Sequence, residues 1–305
     1  MTERTRAYEI AILGAIGWTA TICAEHIAKT FPTNTRWCIA GRSAANLEAC
    51  ARNGTHYVDF STETAWIAEM IRDFHEVAKG SGAIIIAAIS GSSAPSDLVA
   101  WLIASYLQKQ GLPPASEIKS KGLLGHRYDQ HLGHLATSFV AWGNESVVQR
   151  SAAFNPKIYR QNFIYKEYSP ATGLISALLM HIVTKLGILL LTMPWFRSFV
   201  RGKSFDRGSG PDRDESRKIE SAEWKAVGYV TGKKEPVASA EFSYKGALVD
   251  MAAILAVEAA ATINQMNKTE TIGRGLLTPS TLGITFVDRL RAAGFDLTVD
   301  GLESR

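Results

Sequence analysis

The sequence predicts an α/β protein built on a mostly parallel sheet, and three observations carry that expectation. Apolar runs of strand type recur at 8–13, 36–40 and 83–89. Each ends in a Gly/Ser-rich turn, and a segment with helical spacing of apolar residues follows. That alternation of strand, turn and helix is the signature of βαβ units, whose parallel strands require helical crossovers.

Composition sets the outer bounds. The 305 residues are 46% hydrophobic and 20% charged, which is ordinary for a globular chain and leaves room for one large or two modest domains. A net charge of +4, spread along the chain, gives no basic patch and argues against a nucleic-acid partner. Cys23, Cys38 and Cys50 are odd in number and lack metal-ligand spacing, so they read as buried thiols in a reducing, intracellular setting. The charged N-terminus runs directly into the first strand, and no leader peptide is expected.

The first strand leads into Gly14-Ala15-Ile16-Gly17-Trp18-Thr19-Ala20 and then an amphipathic helix. A turn of this kind aims backbone N–H groups and the positive end of a helix dipole at one point, which suits a phosphate. The small Ala20 lets the helix pack close to the strand. A plain strand–turn–helix uses the same glycines, so the turn needs a second signal. The next strand supplies one, because it ends in Gly41-Arg42-Ser43 with no Asp or Glu. An acidic residue there accepts from the 2′-hydroxyl of NAD, whereas an Arg accommodates the 2′-phosphate of NADP. Gly14, Ala15, Ile16, Gly17, Trp18, Thr19, Arg42 and Ser43 are therefore the expected cofactor-binding residues, and NADP is the expected cofactor.

Further along, Asn53-Gly54 is a helix stop, 55–60 reads as a short strand, and 65–79 carries Trp66, Ile67, Met70, Ile71 and Phe74 on one helical face. Ser96-Asp97 before an apolar run predicts a helix capped by Asp97 and starting at Leu98. Residues 111–133 read as polar and irregular. Their three histidines (His126, His131, His134) are not joined by carboxylates or thiols, and no metal site is expected. Residues 144–151 show an alternating apolar pattern. Residues 173–193 form the most hydrophobic stretch, near the length of a bilayer span. His181, Thr184 and Lys185 make a polar stripe on it, and Trp195, Phe196, Arg197, Arg201 and Lys203 follow. That pattern fits a helix lying on a membrane or lipid surface, with a core helix and a true span as the alternatives. Segments 223–231 and 237–245 flank Gly232-Lys-Lys-Glu-Pro236 as a β-hairpin, and 246–266 is a long Ala-rich helix.

Several of these pieces together resemble the saccharopine dehydrogenase-like oxidoreductases, on the branch of the trans-acting enoyl reductases. They are Gly14–Ala20, Ala40-Gly-Arg-Ser43, Asn53-Gly-Thr-His-Tyr-Val-Asp59, Ser93-Ala-Pro-Ser-Asp97, Val147-Val-Gln-Arg-Ser151 and Leu277-Thr-Pro-Ser-Thr-Leu-Gly283, in family order. The resemblance implies a Rossmann-like NADPH domain over 1–110, an α+β substrate or association domain over 111–275 carrying the hydrophobic helix 173–193, and a segment 276–305 packing back on the first domain. It also implies reduction of a C=C bond in a lipid-like or polyketide intermediate. The substrate would be a small molecule or a carrier-bound acyl chain, a polyketide synthase a candidate partner, and the location cytoplasmic or peripheral on a lipid surface.

The departures from the family are as informative. Ile16, Trp18 and Ala20 stand where the family has Thr, Tyr and Gly, and Ala87-Ala-Ile-Ser-Gly-Ser92 replaces a Gln/Cys/Glu-bearing segment. A central strand, a helix and the strand leading to the nicotinamide loop are missing after Ser43, and a second gap lies near 122–140. A parallel sheet that loses a central strand loses its ladder and must re-close with fewer strands. The adenosine half of such a site survives better than the nicotinamide half, so a catalytically silent or repurposed protein is the alternative. For proton donation beside a cofactor, Tyr57 and His56 are the expected catalytic residues.

Overall fold

The computed structural model describes residues 9–13, 17–40, 46–118, 126–206, 209–269 and 273–302. The chain is α/β, with parallel, antiparallel and mixed sheets. It divides into two compact units, one of 1–94, 207–222 and 243–296, the other of 95–206, 223–242 and 297–305. These bounds differ from the expected 1–110, 111–275 and 276–305. The long Ala-rich helix groups with the N-terminal strands because its small residues allow close packing on the first helix.

In the first unit, β1 (Ile10–Leu13), α1 (Trp18–Thr30) and β2 (Trp37–Ala40) form a βαβ unit. The two strands pair in parallel from Ile10↔Trp37 to Leu13↔Ala40. After α2 (Asn46–Asn53) come β3 (Tyr57–Val58), α3 (Thr64–Ser81) and β4 (Ile84–Ile86). The α2 helix stops where Asn53-Gly54 predicts. Gly54 has φ +66, and a Cβ there would stand 2.6 Å from the Ser81 carbonyl oxygen, so only glycine fits.

Strands β3 and β4 pair in parallel, and β12 (Gly275–Leu277) adds to the other edge of β4 in parallel. The parallel sheet is thus two sheets, β1–β2 and β12–β4–β3, with no ladder joining them among the described residues. Helix α9 (Leu248–Thr269) packs Ala253 and Val257 against Ile22, Cys23 and Ile27 of α1 and Ile12 of β1. The Cys23 thiol donates to the Ala253 carbonyl at 3.7 Å, and burial pushes its pKa up to about 12. That thiol is inert packing, as its sequence context predicts. Helix α10 (Gly283–Ala292) completes this layer.

The second unit contains a mixed five-stranded sheet in the order β13–β11–β10–β5–β8. Its strands are β5 (Ala115–Ile118), β8 (Tyr159–Tyr165), β10 (Ser221–Val230), β11 (Ala238–Lys245) and β13 (Asp296–Gly301). The neighbours β10 and β11 are the expected hairpin. Helix α4 (Ser93–Lys109) lies so close to β10 that a Cβ at Gly228 would stand 2.3 Å from Ile103 Cγ2. The second sheet is antiparallel, β6 (His126–Asp129), β7 (Gly133–Thr137) and β9 (Tyr168–Ala171). The stretch 111–133, read as irregular, therefore contains β5, β6 and the first residue of β7. Polar residues hid β6 and β7 because one face of their sheet is half-open. Residues 144–151 are not a strand but the middle of α5 (Ala141–Phe154), which buries Asn144, Val147, Val148 and Ser151 at helical spacing.

Helix α6 (Leu174–Leu191) and α7 (Pro194–Gly202) follow β9. Two helices, α6 and α9, are long and apolar enough to cross a membrane by length and composition. Length and composition alone make neither a span, since a core helix passes the same test.

Candidate functional site

The register of β1 on β2 places the carboxyl ends of the two strands side by side. Leu13 and Ala40 are Cα partners, so the turns that leave β1 and β2 start side by side at the carboxyl ends of adjacent parallel strands. Ligands of open α/β sheets bind at that end. Gly14, Ala15, Ile16, Arg42 and Ser43 lie outside the described residues. Gly17 is the N-cap of α1 in an extended conformation, and its carbonyl accepts from Thr21 N at 3.0 Å and Thr21 Oγ1 at 3.1 Å. Among the described residues neither a side-chain cap nor a first-turn acid meets the N–H groups that open α1, where the positive end of its dipole lies. Thr19 is the second residue of the helix. Trp18 is its first, and its indole Nε1 is buried without a partner.

The segment leading into α8 (Arg213–Ile219) lies against this turn, where a Cβ on Gly210 would come 2.9 Å from the Trp18 ring. Arg213 ties α8 down, pairing with Glu25 of α1 and with Asp250 of α9 at 2.5 Å each. Arg217 binds the other oxygen of Asp250 at 2.7 Å. A buried carboxylate gripped by two guanidiniums thus fixes the covering segment.

The expected catalytic residues, Tyr57 and His56, lie at and just before the start of β3. Strand β3 begins at Tyr57, so His56 precedes it and lies at the amino end of its sheet. There its Nδ1 accepts from the Ile84 backbone N–H at 3.1 Å, a bond that pins the start of β4. Tyr57 donates to Asp59 Oδ2 at 2.6 Å. Burial, then this bond to a carboxylate, raises the Tyr57 pKa well above the phenolic range. Its proton is committed to Asp59.

Asp59 is the residue sequence reasoning passed over. It stands at the carboxyl end of β3, where its Oδ1 accepts from Ser61 N at 2.8 Å. Its backbone pairs with Ile86 and Ile89 at 2.9 Å each, placing it beside the loop after β4. The signal was its place in Tyr57-Val-Asp59, two residues from the tyrosine on the same strand face.

That loop begins the helix earlier than expected. Ser90 Oγ accepts from Ser93 N at 3.1 Å, and α4 starts at Ser93. Asp97 is therefore inside the helix and fully buried rather than its cap. The signal at Asp97 misled because Ser90, seven residues upstream, accepts from the backbone where the helix opens. Beyond it, Ser96 Oγ donates to Glu167 Oε2 at 2.6 Å, and Asn144 Nδ2 donates to Oε1 at 2.8 Å. Residues of the quoted Ser93–Asp97 motif thus anchor a buried polar network.

His126 Nε2 and His134 Nδ1 are 3.0 Å apart across the β6–β7 pair, and among the described residues no group of three or more metal-ligating side chains converges. On α6, His181 bonds Thr137 of β7 at 2.7 Å and Ala177 is buried. The polar stripe is thus partly an inner, sheet-facing one, while Lys185 is exposed.

No protein-family model and no curated protein matches this chain. The resemblance to the saccharopine dehydrogenase-like oxidoreductases rests on the motifs quoted above.

Proposed function

We propose that the protein is an NADP-dependent oxidoreductase of the enoyl reductase type, acting on a C=C bond in a lipid-like or polyketide intermediate. One observation carries the reading, the Leu13↔Ala40 register. The carboxyl ends of β1 and β2, from which Gly14–Gly17 and Gly41-Arg42-Ser43 continue in the sequence, are neighbours, which supports pyrophosphate and 2′-phosphate contacts from adjacent strand ends. The Rossmann identity of this βαβ unit belongs to the same proposal. When bound, the cofactor supplies the hydride, and the chain's own residues bind and orient it.

A second reading has its own support. The sheet is in two pieces, and the Tyr57 hydroxyl is spent on Asp59. A protein with those features holds NADP through the β1–α1–β2 unit and transfers no hydride. In either case the surface of α6 and α7 is proposed to rest on a lipid surface, supported by the apolar exposure of Ile175, Leu179, Ile182 and Leu186. Between 168 and 205 the chain has Lys185, Arg197, Arg201 and Lys203 and no acidic residue, which matches an anionic headgroup layer.

The test is titration of the purified protein with NADPH, followed by cofactor fluorescence, beside Arg42→Ala. Saturable binding weakened roughly tenfold or more in Arg42→Ala supports the site, since charge-assisted phosphate contacts are worth ~1.5–3 kcal/mol. Absence of binding by a cooperatively folded protein overturns it. Once binding is shown, enoyl-thioester turnover separates the first reading from the second.

A further inference from the structure

A second candidate site lies in the first unit at the far end of α1 from Gly17. Residues of α1, α9 and α10 and the chain entering β1 enclose a cleft of about 570 Å³, a volume in the range of small-molecule sites. Its polar centre is Glu258 of α9, a buried carboxylate held from two sides. His26 Nε2 is 2.9 Å from Oε1, and Arg289 Nη2 is 2.6 Å from Oε2. Phe31 backs the cluster, with the Arg289 guanidinium 5.6 Å from its ring centre and His26 edge-on at 6.3 Å.

The distribution of unspent hydrogen-bonding capacity decides what the cleft suits. Both oxygens of Glu258 are engaged. Glu9, at the edge of the cleft, is held by Arg36 at 3.7 Å and by Asn264 Nδ2 at 3.4 Å. Arg289 is different. Its guanidinium carries five N–H donors, Glu258 is its one polar partner among the described residues, and its Nε is buried with none. Donors left idle on a half-buried cation ask for an acceptor. Ile10, Pro32, Ala261 and Ala293 add apolar wall.

We infer that this cleft binds a small organic acid, its carboxylate on Arg289 and its apolar body against Phe31 and the alanines. A cationic ligand fits less well, because both carboxylates have cationic or amide partners, while the guanidinium spends one of its five N–H donors on Glu258. The site is separate from the β1–β2 strand ends, so it stands whether or not NADP binds there.

The probe is octanoate, measured by isothermal titration calorimetry on the full chain, with 1-octanol as the uncharged competitor. Expected are one saturable site, no displacement by 1-octanol, and affinity at least tenfold weaker in Arg289→Met. Absence of saturable binding by the folded protein overturns the inference, and so does full competition by 1-octanol. Unchanged affinity in Arg289→Met would assign the ligand to the exposed face of α6 and also overturns it. Because Arg289→Met leaves Glu258 with His26 alone, Ala261→Leu serves as the second variant. It narrows the cleft without touching a charge and is expected to abolish binding, and unchanged binding there would overturn the site.

Discussion

Among the described residues, α6 and α9 are the two helices long and apolar enough to cross a membrane, and their burial is opposite. The α6 window has the higher mean hydropathy, 2.2 against 1.3, yet 6% of it is buried against 61% of the α9 window. In α9 alanine is the commonest residue, and alanines at 253, 256, 259 and 261 let neighbouring elements close onto it. In α6 the exposed large apolar residues are Leu, Ile and Val, and only the stripe through Ala177 and His181 faces the β6–β7–β9 sheet. Hydropathy measures the drive to leave water and says nothing about where the chain finds cover. The partner proposed for this exposed row of large aliphatic side chains is an anionic lipid surface, a proposal supported by the cationic, acid-free flank of α6 and α7.

The strongest way to break that comparison is to charge the open face of α6. Leu179→Glu, Ile182→Glu and Leu186→Glu in one chain would remove three side chains, each worth ~1.5–3 kcal/mol when transferred from water. Co-sedimentation with phosphatidylserine-containing vesicles is expected to fall by roughly a thousandfold, since ~4 kcal/mol corresponds to that factor. The melting temperature should hold or rise. Vesicle binding that persists at the wild-type level would remove α6 from the lipid contact altogether.

Next in size is the converse test in the buried helix. Leu255 of α9 is fully buried, so Leu255→Ala should cost ~2–5 kcal/mol in urea unfolding through lost transfer energy and the cavity left behind. Leu179→Ala, on the exposed face of α6, should stay within ~0.5 kcal/mol. Equal costs at the two positions would mean that α6 is covered in solution, by a second copy of the chain or otherwise.

A smaller effect sharpens which lipids are involved. Arg197→Ala and Arg201→Ala should each reduce vesicle affinity about fivefold, following the ~1 kcal/mol that one basic residue gains near an anionic leaflet. Raising the salt should erase most of that difference by screening. Loss of binding to neutral vesicles as well would show that the arginines act by holding α7 together rather than through headgroup charge.

Much of this architecture is legible in the residues. The β1–α1–β2 unit, the helix stop at Asn53-Gly54, the 221–245 hairpin and the long helix from 248 all follow from periodicity and punctuation. What escaped depended on tertiary partners. Residues 126–137 form strands despite their polarity because they pair with β9 as well as each other, and no local pattern announces that. Residues 144–151 satisfied two periods at once, and the helical one prevailed because Val147, Val148 and Ser151 share a buried face. The candidate cofactor turn was legible as a motif. The diversion of Tyr57 to Asp59 was not, because a two-residue separation on a strand allows that bond without requiring it. The cleft of Glu258 was invisible for a simpler reason. His26, Glu258 and Arg289 are far apart in sequence and meet only through helix packing.

The smallest expected effect concerns Glu167, whose carboxylate accepts from Ser96 and Asn144 yet has its pKa raised, with burial the leading cause. A carboxyl with a raised folded-state pKa holds its proton in the native chain over a pH window where the unfolded chain has released it. Within that window the native state binds more protons, so stability falls as pH rises from the ordinary glutamate range through the raised value, then levels off. Glu167→Gln takes the titrating group away and keeps an oxygen for Asn144. Its unfolding free energy should therefore lose that downward slope while the wild type keeps it. Parallel pH profiles for the two proteins would show that the hydrogen bonds from Ser96, Asn144 and Tyr165 outweigh burial. In that case the network around the Ser93–Asp97 motif is built for a charged carboxylate rather than a protonated one.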